Sequence, residues 1–289
     1  IGEDDLGIAE SGNGIPDIID EARNEVDFWL RLRDGVAYSH GLTNPTGSNV
    51  LYQAGTSALA AWVNAASCAM LSNCFKIAGL TELMNQYRDS AVVAFAFADQ
   101  SDNPRLNDKH SLGESIITGR DLKMMAAAYL YNVTGDKQYE DIIKNESVVN
   151  SSTSVINSKD NFDQVWATAA YLLTDRTVHY PELYDNMKAS IIYQAKEKES
   201  KYSDLRPSRR STDNATGYFH TIQNAHRTMI AHAVTDDEDE KRLFEDALTL
   251  EADWGLGRNP LNMIQMTTAT TTLEKNRSIE NAYTSGRND

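Results

Sequence analysis

The chain is poor in cysteine and in basic residues, and both shortages narrow its chemistry. Its two cysteines, Cys68 and Cys74, are six residues apart. On one helix this spacing separates them by roughly 9 Å, too far for a disulfide, so we expect two small, buried apolar side chains. Lysine and arginine number 27 against 42 aspartates and glutamates, which gives a net charge of −15. Because phosphate backbones are bound by basic patches, this balance argues against a nucleic-acid partner and suits a neutral polysaccharide.

Several standard motifs are also missing. The sequence contains no P-loop, G-x-G-x-x-G, H-E-x-x-H, C-x-x-C or G-x-S-x-G pattern. No apolar run approaches the ~20 residues of a membrane helix, so we expect no membrane partner. His220, His226 and His232 follow one another at six residues and do not share a helix face, and the acidic run 236–240 lacks the glycine of a calcium loop. We predict no metal site and no cofactor; structural calcium is not indicated.

Helical periodicity recurs along most of the chain, whereas strand-like alternation is scarce. The segment Ala127–Leu130 leads through Gly135 into a second helical pattern, and the similar segment Ala169–Leu172 follows 42 residues later. Such helical hairpins build either a closed α/α barrel or an open solenoid of HEAT type. Long irregular segments at 33–54, 101–120, 200–216 and from 257 onward favour the barrel, since long loops tend to build functional clefts. We predict an all-α fold in a single domain, 1–289.

Aromatic residues supply candidate sugar contacts, because sugar rings stack their C–H faces on indole and phenol rings. Trp29, Trp62 and Trp254 fall within apolar helical stripes, so we expect all three in the core. Trp166 follows a loop-to-helix junction, and the sequence leaves open whether its side chain lies in the core or at the rim of a cleft. Tyr218 follows Gly217 at another helix start and could line the same face.

Five blocks in chain order resemble glycoside hydrolase family 9, the cellulase and endoglucanase family. The most specific is Glu-Ser-Gly-Asn-Gly-Ile-Pro-Asp-Ile-Ile-Asp-Glu at 10–21; the others lie at 35–40, 121–130, 161–166 and 254–261. In the third block a methionine stands where the family has a tryptophan. The resemblance implies an (α/α)6 barrel, which we expect to be incomplete in this chain. It also implies a secreted or periplasmic, inverting endo-β-1,4-glucanase acting on a β-glucan polysaccharide or oligosaccharide.

The same resemblance supplies the site residues. It implies substrate contacts by His40, Asp163, Trp166, Tyr218 and Arg258, although Arg258 could instead anchor its loop or orient a catalytic residue.

No segment of this sequence matches the family's catalytic motifs. The family's D-A-G-D segment, with the base, belongs upstream of the first block, and its H-H-R segment and acid glutamate belong downstream of the last. Glu280 is a weak candidate for the acid because no H-H-R precedes it, and Asp4 and Asp5 lie too close to the first block to be the base. We therefore expect the catalytic residues outside this chain, an inactive fragment, and apolar helix faces left exposed.

Two rival interpretations remain open. One is a non-catalytic α-helical repeat or carbohydrate-binding module, which the 42-residue period supports. The other is a different carbohydrate enzyme with an α/α toroid, such as a glucuronyl hydrolase or an epimerase. The specific first block argues against the second.

Overall fold

The structure is a computed structural model that describes residues 3–7, 9–43, 50–112, 115–158, 160–200 and 225–256. Within these residues the chain forms nine α-helices, a π-helical turn (Ala195–Glu199) and eight short strands. The helices are α1 (Asp17–Arg31), α2 (Ala58–Ile77), α3 (Thr81–Asp99), α4 (Gly119–Thr134), α5 (Lys137–Glu146), α6 (Val165–Leu172), α7 (Pro181–Gln194), α8 (His226–Val234) and α9 (Glu238–Gly255). The strands are β1 (Arg33–Asp34), β2 (Ala37–Tyr38), β3 (Leu42–Thr43), β4 (Tyr52–Gln53), β5 (Lys109–Leu112), β6 (Ser115–Thr118), β7 (Asn157–Ser158) and β8 (Phe162–Asp163).

The elements fall into two compact units. The first comprises residues 1–148 and 156–184, and the second comprises residues 149–155 and 185–289, so that α7 contributes to both. In the first unit α2 packs against α1, α3 and α4, and α4 packs in turn against α5 and α6. Helices α2, α4 and α6 therefore form a central row, with α3 and α5 beside it. The prediction of a single domain over residues 1–289 stays a prediction.

The predicted hairpins are present, and their turns have clear local causes. The two similar segments of the sequence lie in α4 and α6, which are neighbours in the row. Thr118 and Asp121 form a capping box at the start of α4, which satisfies backbone N–H groups that a helix start leaves free. Gly135 ends α4 at a φ of 73°, a conformation that glycine adopts without strain, and Asp136 then caps α5.

The strands make four antiparallel pairs, β1–β2, β3–β4, β5–β6 and β7–β8. Three of the four consist of two-residue strands, too short to show alternation in the sequence. The described chain is therefore predominantly helical, as predicted; three of its β-hairpins lie in the irregular segments 33–54 and 101–120, and the fourth, β7–β8, lies outside the segments that the sequence marks as irregular.

Helix α2 is the core helix of the first unit. Trp62 is fully buried there, as predicted, and its ring contacts Phe95 of α3 edge-on at 4.8 Å between ring centroids. Cys68 and Cys74 both lie on α2 and are unbonded, as expected from their spacing. The prediction about apolar runs was wrong, because α2 is long and apolar enough to cross a membrane by length and composition. Since 67% of that window is buried within the protein, the apolar run serves the core.

One face of α2 nevertheless remains exposed. Val63, Met70 and Ile77 follow one another at seven-residue spacing and are 42%, 44% and 69% exposed. Seven residues correspond to about two helical turns, so the three side chains form one apolar stripe along the helix.

The second unit is smaller among the described residues. Ala195 of the π-helical turn, Ala231 of α8 and Phe244 of α9 are fully buried together and form its core. The acidic run at 236–240 begins α9, with the Asp237 side chain accepting hydrogen bonds from the backbone N–H groups of Asp239 and Glu240. This is the solvated helix start that the sequence suggests.

Candidate functional site

Each helix of the central row begins directly after a β-hairpin. Strands β3–β4 precede α2, strands β5–β6 precede α4, and strands β7–β8 precede α6. Strand β6 contacts both β7 and β8, so the second and third hairpins are neighbours. Lys109 of β5 reinforces this contact, since its Nζ donates to the Asp160 carbonyl (3.1 Å) and to Asn161 Oδ1 (3.0 Å). These three hairpins therefore lie at the N-terminal ends of the row's helices.

Backbone pairing fixes the position of His40 at this face. The His40 N–H donates to the Gly55 carbonyl (3.1 Å), and the Ser57 N–H donates to the Tyr38 carbonyl (3.0 Å). Ser57 then caps α2 through its side chain, so the segment 38–41 is tied to the start of that helix. Gly41 has a φ of +129° and lies against Trp29, since a Cβ built there would be 3.1 Å from the indole ring.

A cavity of about 240 Å³ opens beside His40. Trp29 of α1, Leu122 and Met125 of α4, and Ile117 of β6 line it together with the first turns of α2. The polar lining residues are Ser39, His40, Asn64 and His110. Ser39, Leu59, Asn64, Ile117 and Leu122 are buried and form its inner wall, whereas His40 and Val63 are exposed and mark its mouth.

The environment of His40 favours its neutral form. Partial burial lowers the pKa of His40, and the positive charges of Arg105 and His110 lower it further. A neutral imidazole carries one donor and one acceptor nitrogen, which suits a hydroxyl group as partner.

Asp163 and Trp166 lie at the neighbouring hairpin. Asp163 is the last residue of β8, and its Oδ1 accepts the Val165 N–H (3.1 Å) at the start of α6. Trp166 is 42% exposed, which excludes the core reading that the sequence left open. Of the predicted substrate-binding residues, the structure thus describes His40, Asp163 and Trp166.

The buried Asp121 carboxylate holds this hairpin to α4. Its Oδ2 accepts the N–H groups of Thr118 (2.7 Å) and Asp163 (3.3 Å), and its Oδ1 accepts Nε2 of Gln164 (2.9 Å). Gln164 in turn accepts the Val148 N–H (2.9 Å) and donates to the Glu146 carbonyl (3.0 Å). Asp121 therefore positions the residues on either side of the turn into α6.

Tyr218, Arg258 and Glu280 lie outside the described residues. Three cavity residues escaped the sequence analysis: Asn64 and His110 belong to no motif, and Trp29 was expected in the core because it continues an apolar stripe. Trp29 is only partly buried and lines the cavity. Among the residues described, no cluster of three or more His, Cys, Asp or Glu side chains could hold a metal ion.

The loop that contains the start of the first block folds around Asp4, which precedes the block, and Asp17, which belongs to it. Both carboxylate oxygens of Asp4 accept backbone N–H groups, Oδ1 from Gly12 and Oδ2 from Gly14, each at 2.7 Å. These hydrogen bonds, that of Gly14 above all, lower the pKa of Asp4. Asp17 is buried, and its Oδ2 accepts the Leu6 N–H and the Ser11 hydroxyl, each at 2.7 Å. The carboxylates of Asp4 and Asp17 thus hold the loop that leads into α1.

The sequence is similar to one known protein family over most of its length. The sequence matches the profile of glycosyl hydrolase family 9 over residues 7–285. The chain belongs to glycosyl hydrolase family 9. No curated protein matches it. The predominantly helical structure is consistent with the (α/α)6 barrel of this family, and the open solenoid is not favoured.

Solved structures agree with this fold. A family 9 glycoside hydrolase of Bacteroides ovatus has a TM-score of 0.71 and 21% identity, covering 90% of this chain and 52% of its own. A metagenome-derived family 9 endoglucanase has a TM-score of 0.70 and 21% identity, with 92% and 50% covered. AaCel9A, solved with a cellobiose-like isofagomine, has a TM-score of 0.66 and 17% identity, with 89% and 51% covered. The chain spans about half the length of these relatives.

Proposed function

We propose that this chain is part of a glycoside hydrolase that cleaves β-1,4-glucan with inversion, and that it supplies one section of the substrate cleft. The observation that carries the proposal is the family match over residues 7–285. The cavity beside His40 and the exposed Trp166 support it, because both lie at hairpins that precede helices of the central row. The relative with a cellobiose-like ligand points to the same substrate class.

An inverting mechanism requires two catalytic carboxyl groups. An inverting glycosidase holds a general acid and a general base about 6.5–9.5 Å apart, with a water between the base and the sugar. Asp4 is committed to the loop backbone, and the match to the family's catalytic blocks is missing. We assign His40, Asp163, Trp166, Tyr218 and Arg258 to substrate binding and place the catalytic carboxylates outside this sequence.

Binding of cellotetraose to the 289-residue chain tests the proposal directly. We expect saturable binding by calorimetry, weakened about tenfold or more by Trp166→Ala, because stacking on an aromatic ring contributes on the order of 1–3 kcal/mol. Tyr193→Ala is the matched control, since Tyr193 is also a helical aromatic residue and is 41% exposed. Absence of binding to any cello-oligosaccharide would contradict the substrate assignment.

Turnover tests the placement of the catalytic groups. We expect the same chain to release no reducing ends from soluble β-glucan. Robust turnover would show that the acid and base are within these 289 residues. A polymeric substrate lies outside the cell, so we also propose a secreted or periplasmic protein, which fractionation of the source cells would test.

A further inference from the structure

The cavity beside His40 has a wall that is largely apolar. Seven of its eleven lining residues are apolar, and they come from α1, α2, α4 and β6. A sugar ring carries hydroxyl groups all around its edge, and each hydroxyl that loses water without gaining a partner weakens binding. The apolar wall therefore raises the question of which group the cavity can accept.

The polar groups of the cavity are mostly engaged with the protein. Ser39 Oγ donates to the Ala54 carbonyl (2.6 Å) and accepts the Gly41 N–H (3.2 Å). Asn64 Nδ2 donates to the Ala60 carbonyl (2.8 Å). Nε2 of His110 is the exception, since it is buried and has no hydrogen-bond partner among the described residues. The interior therefore offers a ligand few hydrogen-bonding groups besides this nitrogen, whereas the exposed His40 stands at the mouth.

The volume of the cavity limits the size of the group that it can accept. At about 240 Å³ the cavity is smaller than the ~300–1,000 Å³ of pockets for drug-sized ligands. It is larger than the apolar cavities of about 150 Å³ that accept a benzene ring. A single aromatic ring with a small linking group fits between these limits, and the partly buried Trp29 offers it an aromatic wall.

We propose that this cavity binds the aromatic ring of an aryl β-glucoside, with the attached sugar outside at His40. The aryl half of this inference rests on the cavity alone, and the sugar half rests on the proposed function. The ring takes the apolar interior, and the glycosidic oxygen and sugar hydroxyls stay at the mouth, where water and His40 satisfy them.

Two ligands that differ only in the aglycone test the inference. Dissociation constants of phenyl β-D-glucopyranoside and methyl β-D-glucopyranoside are measured by ligand-observed NMR with the full 289-residue chain. We expect the phenyl compound to bind about tenfold more tightly or better, because the ring buries more apolar area. Equal affinities would overturn the proposal.

Val63 allows the cavity to be closed without touching the core. It lines the mouth and is 42% exposed, so a larger side chain has room outside. We expect Val63→Phe to abolish the phenyl preference. Val92→Phe is the matched control: Val92 is a helical valine of α3, 37% exposed and not part of the lining, and its variant must keep the preference. A preference that survives Val63→Phe would overturn the proposal.

Further measurements separate the two halves of the inference. If Val63→Phe loses its native circular dichroism, Val63→Thr replaces it, and we expect the introduced hydroxyl to weaken phenyl binding about threefold or more.

Phenol alone should compete with phenyl β-D-glucopyranoside, and failure to compete would overturn the cavity assignment. A persistent phenyl preference without any binding of cellotetraose would instead contradict the β-glucan proposal alone.

Discussion

Replacement of Asp121 by alanine should destabilise the first unit more than any exposed helix cap does. The Asp121 side chain is 1% exposed and accepts hydrogen bonds from four groups: the N–H and hydroxyl of Thr118, the Asp163 N–H and Gln164 Nε2. Gln164 keeps its bond to the Glu146 carbonyl, and the half-buried Thr118 hydroxyl can turn to water. The variant therefore leaves the backbone N–H groups of Thr118 and Asp163 without their acceptor, and it removes a buried carboxylate.

This loss sets the expected magnitude. Hydrogen bonds to charged groups contribute about 1.5–3 kcal/mol each, so Asp121→Ala should lower the free energy of unfolding by about 3–5 kcal/mol. At about 2–4 °C per kcal/mol for a chain of this size class, the midpoint of thermal unfolding should fall by roughly 6–20 °C. Asp121→Asn should lose less, since one acceptor oxygen remains.

Asp136→Ala is the matched control. Asp136 caps α5 but is exposed: its Oδ1 accepts the Gln138 N–H (3.1 Å), and its Oδ2 accepts the exposed Gln138 Nε2 (2.8 Å). Its removal should cost about 1 kcal/mol, the usual value for an N-cap. Urea unfolding followed by circular dichroism compares the variants. If Asp121→Ala and Asp136→Ala were equally destabilising, the buried carboxylate would not hold the turn into α6, and our account of how Asp163 and Trp166 are placed would be refuted.

Three further predictions follow from single contacts. Gly119→Ala should lower the free energy of unfolding by about 1–3 kcal/mol, because its Cβ would lie 2.4 Å from the Arg105 carbonyl oxygen; Gly55→Ala, with nothing within 4 Å, should be nearly neutral, and urea unfolding compares the two. Burial raises the pKa of Cys68 to about 12, so this thiol should resist alkylation at pH 8 until urea unfolds the protein. Partial burial and nearby positive charge lower the pKa of His40, so its ring should be mostly neutral at pH 7, and NMR titration should place the midpoint below that of an unperturbed histidine.

Local sequence signals predicted the helices well because each signal acts within a few residues. Gly135 and the acidic run at 236–240 mark helix ends in the sequence: Gly135 ends α4 through its positive φ, and Asp237 caps α9 through its side chain. The 42-residue repeat also predicted that α4 and α6 play equivalent parts.

The cavity could not be predicted in the same way. Its lining comes from α1, α2, α4 and the second hairpin, so it exists only after these elements pack together. Trp29 looks like a core residue in the sequence because an apolar stripe does not show where a helix face meets a void. His110 lies in a short strand without a recognisable pattern. Trp29 and His110 come together only through tertiary packing, so no short segment of the sequence predicts the cavity.

The opening block shows how a family-specific sequence contributes to a site without touching substrate chemistry. Gly12 and Gly14 adopt φ values of 88° and 86°, and their N–H groups bind the Asp4 carboxylate. This loop leads into α1, which Arg23 ties to α3 through the Tyr87 hydroxyl (3.0 Å). The same helix carries Trp29, whose indole lines the cavity. The Asp4 carboxylate thus holds the loop that precedes α1, the helix that carries Trp29.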